Sequence, residues 1–157
     1  MTAQYQRLLV PVNGTEGDDV ALSVVGHLTH GHPVAITLIF VVEVVQSMPL
    51  DAELPQEIDR GERILHRAEE RAKGETNHKL SNVSTELLQA RAAGAAIVDE
   101  AIDRRSDAIV MAASIRQKLG KPSLGETVGY VLKNAPCEVI LIRQAFEAIN
   151  GEEDVEP

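Results

Sequence analysis

Short apolar runs rich in β-branched residues alternate along this chain with stretches of helical period. Such alternation is typical of βαβ units, in which parallel strands are joined by helices that cross one face of the sheet. The pattern predicts five strands, over Arg7–Val12, Val34–Val45, Val83–Ala90, Asp107–Ala113 and Cys137–Ile142. Right-handed crossovers then favour an α/β fold, an open parallel sheet with helices on both faces.

The first strand ends at a proline that limits its pairing. Pro11 has no amide hydrogen to donate to a ladder, so this strand end should lie near a bulge or an opening in the sheet. A helix should begin at Thr15, with Asp18 three residues later in a variant of the capping box, and should end near Gly31 and Pro33. Its predicted apolar stripe is formed by Val20, Val24 and Leu28, with Ala21 and Val25 beside them.

Three further helices are predicted from the spacing of apolar residues. They cover Ile58–Ala72, Ala93–Arg104 and Leu124–Ala135. The residues expected to face the sheet are Leu65, Ala68 and Ala72 in the first of these helices, and Ile97, Ala101 and Ile102 in the second. Two i,i+4 ion pairs are expected on the first, Asp59 with Arg63 and Glu69 with Lys73.

The composition argues against several classes of protein. A single cysteine, Cys137, cannot build an internal disulfide framework. The net charge of −9 and the 3% aromatic content disfavour a nucleic-acid binder. No apolar run reaches the roughly 20 residues of a membrane span. We therefore expect one domain, residues 1–145, an acidic and disordered tail, residues 146–157, and a cytoplasmic location with no signal peptide and no membrane insertion.

Four segments resemble the universal stress protein domain, and the resemblance runs from about residue 6 to residue 143. They are Leu8–Glu16, Ala108–Met111, Leu124–Gly125 and Val131–Arg143. The resemblance implies a Rossmann-like sheet with strand order 3-2-1-4-5 and a regulatory role without catalysis. It also implies a homodimer paired through the last strand, Glu138 to Ile142. The apolar character of that strand independently favours pairing with another chain.

The nucleotide-binding branch of that family carries the motif G-x2-G-x9-G-[ST] after its fourth strand. On this chain the first two glycines fall on Ala112 and Ile115, the third falls on Gly125, and Glu126 takes the Ser/Thr place. The acidic residue that this branch uses near the adenosine falls on Asn13. The chain thus resembles a branch with a degenerate ATP-binding motif.

The helix that follows this motif carries its own capping signal. Ser123 and Glu126 have the spacing of a capping box, which would satisfy the amides that a phosphate would otherwise use. The preceding loop is basic, with Arg116, Lys118 and Lys121. These side chains could hold an anion directly, or they could be solvated charges that balance an acidic protein.

A candidate nucleotide cleft lies where the strands end and the helices begin. ATP or AMP is the candidate ligand, and the cleft is otherwise expected to be empty. The cleft residues are Pro11, Val12, Asn13, Val41, Met111, Ala112, Ala113, Gly125, Glu126 and Thr127.

Other reactive residues give weaker signals. His27, His30 and His32 cluster near the end of the first helix, where histidines interact favourably with the helix dipole without binding a metal. Cys137 is expected to be a small buried residue. We find no catalytic constellation and expect no enzyme. The favoured function is a stress-response or regulatory domain that acts by binding and dimerisation. The alternatives are a nucleotide-binding switch and a regulatory module of a membrane transporter.

Overall fold

A computed structural model describes residues 5–76, 81–119 and 121–144. The predicted acidic tail, 146–157, lies outside these residues. The strands are β1 (Arg7–Pro11), β2 (Ala35–Glu43), β3 (Asn82–Ala90), β4 (Ala108–Ala113), β5 (Arg116–Lys118), β6 (Lys121–Ser123) and β7 (Glu138–Arg143). The helices are α1 (Gly17–Leu28), α2 (Pro55–Glu75), α3 (Ala93–Arg104) and α4 (Glu126–Asn134).

Five parallel strands form one sheet in the order β3-β2-β1-β4-β7. Because β5 and β6 pair only with each other, β7 is the fifth strand of the sheet, and the predicted order 3-2-1-4-5 is confirmed. All five predicted strands are present, and their ends differ from the prediction by at most two residues. The segment between β4 and α4 was predicted as a loop and instead contains the antiparallel β5–β6 hairpin.

Pro11 ends the pairing of β1 with β4. The amide of Val12 donates to the carbonyl of Ile39 on β2, 2.9 Å away, so the backbone nitrogen before it points toward β4. That nitrogen belongs to Pro11 and carries no hydrogen. The register between β1 and β4 accordingly covers only Leu8 with Ala108 and Leu9 with Ile109. The sheet therefore opens at the carboxyl ends of β1 and β4.

The two faces of the sheet bury separate cores. Alternate residues of β1 point to opposite faces, with Leu8 and Val10 toward α1 and α2 and Leu9 toward α3 and α4. On α2 the predicted seam of Leu65, Ala68 and Ala72 is buried, and both predicted ion pairs form.

Two predictions about buried helix faces are wrong in detail. On α1 the predicted Ala21 and Val25 are buried, together with Leu22, which was not predicted, whereas Val20, Val24 and Leu28 are only partly buried. On α3, Ile97 and Ala101 face the sheet as predicted, but the side chain of Ile102 is 53% exposed. Val98, one turn before Ile102, is buried instead, in the core that α3 shares with Val128 and Val131 of α4.

Within the described residues, no helix combines the length and the apolar character needed to span a bilayer.

Candidate functional site

A cleft of about 690 Å³ lies at the opening between β1 and β4. All ten residues named from the sequence line it: Pro11, Val12, Asn13, Val41, Met111, Ala112, Ala113, Gly125, Glu126 and Thr127. Its apolar part includes Ile39, Ile97 and Val128, which come from β2, α3 and α4. The structure thus brings together segments from residue 11 to residue 144 around one cavity, at the position where open α/β sheets bind ligands.

The turn between β1 and α1 uses its own amides. The carboxylate of Asp18 accepts hydrogen bonds from the amides of Asn13 and Gly14, at 3.0 and 2.8 Å. The side-chain oxygen of Asn13 accepts from both the amide and the hydroxyl of Thr15, at 3.1 and 2.7 Å. With the amide of Val12 bonded to β2, four consecutive amides are occupied. The backbone from Val12 to Thr15 therefore offers no free amide to a phosphate.

The predicted start of the first helix is wrong, because α1 begins at Gly17 with Glu16 as its N-cap, and no side chain in the described part of the chain caps it. One part of the expected capping box is nevertheless present, since the carboxylate of Asp18 accepts hydrogen bonds from amides that precede the helix. The carboxylate is almost fully buried, with 7% of the residue exposed. Burial raises the pKa of Asp18 above its ordinary value, although the two amide hydrogen bonds act in the opposite direction.

At the other side of the cleft, the predicted capping box of Ser123 and Glu126 does not form. The helix α4 begins at Glu126, with Gly125 as its N-cap, and no side chain among the described residues caps it. The hydroxyl of Ser123 accepts instead from the amide of Gly125, at 3.0 Å. The chain turns at Gly125 with φ +96° and ψ 164°, a conformation that is essentially restricted to glycine. The turn displaces the start of the helix by two residues relative to the prediction.

The amino end of α4 consequently keeps free donors. The first amide to bond within the helical ladder belongs to Gly129, which donates to the carbonyl of Gly125 at 3.3 Å. The amides of Glu126, Thr127 and Val128 precede that bond and have no helical partner. A β-carbon at Gly125 would meet no atom within 4 Å, so this side of the cleft is open. No other acceptor among the described residues meets these three amides, so they are free to bind an anion at the helix amino end.

Arg60 was not identified from the sequence, although it lines the cleft. It lies on α2, with its guanidinium carbon 5.8 Å from the centre of the Phe40 ring and one nitrogen 3.4 Å from the carbonyl of Asn13. Gly61 allows this approach, because a β-carbon there would lie 2.7 Å from the Phe40 ring. A glycine inside a helix of good helix formers is the signal that could have indicated such close packing on the sheet.

The histidines and the cysteine named from the sequence lie away from the cleft. His27 and His32 each contact a backbone carbonyl, those of Ser23 at 2.8 Å and Tyr5 at 3.2 Å, while His30 is exposed. Cys137 is partly buried against the core under α3 and α4, and burial raises the pKa of its thiol. The basic side chains predicted for the loop, those of Arg116, Lys118 and Lys121, lie outside the described part of the structure.

Solved structures share this fold. A universal stress protein from Archaeoglobus fulgidus superposes with a TM-score of 0.69 at 19% identity, covering 88% of this chain and 98% of that one. The universal stress protein of the same organism in complex with dAMP gives 0.64 at 17% identity, covering 89% and 99%. A universal stress protein in complex with cAMP gives 0.63 at 16% identity, covering 91% and 100%.

A search among curated proteins finds no match. The sequence model of the universal stress protein family, however, matches residues 4–143 and so covers almost the whole described fold. The chain therefore belongs to the universal stress protein family.

Proposed function

We propose that this domain is a regulatory module that binds a small ligand of the adenine nucleoside or nucleotide class in the cleft between β1 and β4, without catalysis. The observation that carries the proposal is the amino end of α4, which no side chain of the described residues caps, beside a cavity of about 690 Å³ whose lining includes apolar residues such as Ile39, Ile97 and Val128. The apolar residues suit a base, and the three free amides suit a single anionic group. The dAMP and cAMP complexes of proteins with this fold support the same ligand class.

We also propose that the domain acts as a homodimer through β7, Glu138–Arg143. This strand is the edge of the sheet, and its four central residues, Val139 to Ile142, are only partly buried within one chain. An apolar edge with unpaired backbone groups favours pairing with a second copy, which would continue the sheet. A protein or transporter partner, predicted from the family resemblance, stays a prediction.

The ligand proposal is tested by thermal unfolding with adenosine, AMP, cAMP and ATP at millimolar concentration. A ligand at one hundred times its Kd stabilises a protein by about 2.7 kcal/mol, so we expect at least one of these compounds to raise the Tm by several degrees. The proposal fails if all four leave the Tm unchanged.

Two glycine variants of the same region show whether the cleft is responsible. Gly125→Ala forces a side chain into a glycine-only conformation at the amino end of α4, at a cost of about 1–3 kcal/mol, and should abolish the ligand-induced rise in Tm. Gly129→Ala is the matched control, since Gly129 lies within α4 with no atom near its would-be β-carbon. It should keep the full response. Equal responses of the two variants would place the ligand elsewhere.

A further inference from the structure

The last described residue, Gln144, lies at the cleft between β1 and β4. Its amide donates to the carbonyl of Ala113, and its side-chain oxygen lies 3.2 Å from the position that a β-carbon on Gly17 would take. Alternate residues of a strand point to the same face of a sheet, so Gln144 continues the row of Ile140 and Ile142 toward α1 and α2. The segment after Gln144 therefore starts at the cleft, on the α1 side of the sheet.

That segment, residues 145–157, is acidic. It has no lysine or arginine, and its acids are Glu147, Glu152, Glu153, Asp154 and Glu156. A chain of about 13 residues reaches at most about 45 Å when it is fully extended. Carboxylates so close together in the sequence repel one another, and a group of cations relieves that repulsion. The cations within this reach therefore determine where the segment can bind.

Arg60 is one such cation, and it lies at the same cleft. Among the described residues that line the cleft, it is the only one with a positive charge. Its guanidinium lies beside the Phe40 ring and 3.4 Å from the carbonyl of Asn13, and no carboxylate of the described residues pairs with it. The nearby carboxylate of Asp18 binds two backbone amides instead. Arg60 thus has no acidic partner within the described chain.

A groove of about 270 Å³ continues from Arg60 along α2. It is lined by Arg60, Arg63 and Arg67, which lie on one face of the helix and are called the arginine row below. Arg63 and Arg67 contact Asp59 and Asp19, but 68% and 67% of their side chains are exposed. Ion pairs as exposed as these are weak, so a further carboxylate can join or replace either acid at little cost.

Other charges at the cleft favour the same direction. Glu16 before α1 and Glu126 at the start of α4 are both exposed, and their carboxylates repel an acidic segment. Among the described residues of the cleft and the groove, only the arginine row is positively charged. An acidic segment that starts at Gln144 therefore has its most favourable contacts on α2.

We propose that residues 145–157 dock on the arginine row of their own chain, with carboxylates of the segment bound to Arg60, Arg63 and Arg67. Because Arg60 also lines the cleft, the docked segment occupies the α2 side of the cleft opening. The docking requires no ligand in the cleft, so it can be tested independently of the proposed function.

Nuclear magnetic resonance of the isotopically labelled full chain, without any ligand, tests the docking. A synthetic peptide of residues 145–157 is the reference, since it has the same sequence but no arginine row to bind. At about 0.02 M salt, where charges are weakly screened, the amide signals of Glu152, Glu153 and Asp154 in the chain should differ from those in the peptide. At about 0.5 M salt, where the screening length is about 4 Å, the two sets of signals should coincide.

Arginine variants identify the surface that is bound. Arg60→Gln should move the three amide signals toward their positions in the peptide, and the further changes Arg63→Gln and Arg67→Gln should make the two sets coincide. Lys133→Gln is the matched control, because it removes one exposed positive charge from α4, on the opposite face of the sheet. It should leave the signals at their wild-type positions.

The reverse change keeps the arginines and removes the acids. Replacing all five acids of the segment by the corresponding amides should shift the Nε–H signal of Arg60. The same signal of Arg104, which pairs with Glu86 and Glu100, should not move. This variant alters only residues after Gln144, so it decides the question even if an arginine variant fails to fold.

A mixed sample distinguishes docking within one chain from docking on a second copy. Labelled wild type is mixed with an excess of unlabelled chains that carry Arg60→Gln, Arg63→Gln and Arg67→Gln, and the labelled amide signals should not change. Their return to the peptide positions would place the segment on a second copy and overturn the proposal. Coincidence of the wild-type and peptide signals at low salt, or an Arg60 signal unmoved by neutralising the acids, would also overturn it.

Discussion

The carboxylate of Asp18 accepts a 2.8 Å hydrogen bond from the backbone amide of Gly14, four residues earlier in the chain. The same carboxylate accepts from the amide of Asn13, so one buried side chain closes the turn that forms a wall of the cleft. Gly14 adopts a positive φ of +89°, and its amide hydrogen bonds to the carboxylate of Asp18. The turn is therefore held by an acidic residue of the helix that follows it.

Asp18→Ala should lower the free energy of unfolding by about 1–3 kcal/mol, because two amides lose a buried acceptor. Urea unfolding measures the effect. Asp19→Ala is the control: within the described residues Asp19 makes partly exposed ion pairs with Arg67 and Arg71, and its loss should cost less than about 1 kcal/mol. Equal costs for the two variants would show that the amide contacts contribute no stability of their own.

The raised pKa of Asp18 predicts a pH dependence of defined sign. A carboxyl whose folded pKa exceeds its ordinary value of 3.8 binds protons more tightly in the folded state than in the unfolded state. Its contribution to stability is therefore largest at low pH and falls as pH rises from that value through the folded pKa. Asp18→Asn lacks this titration, so the wild type minus variant difference in unfolding free energy should fall from acid toward neutral pH. A difference that stays constant or increases would contradict the assignment.

Two glycines of α2 should respond in opposite ways to alanine. At Gly61 a β-carbon would lie 2.7 Å from the Phe40 ring and 2.8 Å from Leu87, so Gly61→Ala should destabilise the fold by about 1–3 kcal/mol. At Gly74 nothing lies within 4 Å, and Gly74→Ala should stabilise the helix by about 0.5–1 kcal/mol. Thermal unfolding of both variants measures the contrast, and stabilisation of both would mean that α2 does not pack closely on Phe40.

Dimerisation through β7 can be tested at a single amide. Gln144 donates to the carbonyl of Ala113 on β4, 2.8 Å away, so by strand alternation the amide of Leu141 points toward the open edge. Leu141→Pro and Leu141→Ala both lose the packing of the leucine side chain, but only the proline variant loses that amide. In sedimentation experiments at micromolar concentration we expect the wild type and Leu141→Ala to be dimers and Leu141→Pro to be a folded monomer. A wild-type monomer, or a dimeric proline variant, would exclude this interface.

Most of the fold was predictable because each strand and helix is indicated by residues that are close together in the sequence. Strand and helix periodicity identify every element of the main sheet, and the missing amide of Pro11 predicts where the sheet opens. The residues of the cleft follow from the same rule, since the carboxyl ends of parallel strands meet at one edge. Three helix starts differ from the prediction. The helix α2 begins at Pro55 and not at Ile58, because proline is tolerated in the first turn of a helix. The other two errors arise at Thr15 and Ser123, where capping spacing alone does not reveal which amide each side chain will meet.

The sequence by itself therefore determined the parallel sheet, the position of the cleft and the family, because each depends on residues close in the chain or on a motif. Only the tertiary structure decided the charge of that cleft. Arg60 and Asn13 are separated by 47 positions, and they meet because Gly61 lets α2 pack against Phe40. The free amides of α4 likewise depend on the turn at Gly125, whose conformation is set by the path of the chain between β6 and the helix. Contacts between residues so far apart in the sequence produce no periodic pattern from which they could be predicted.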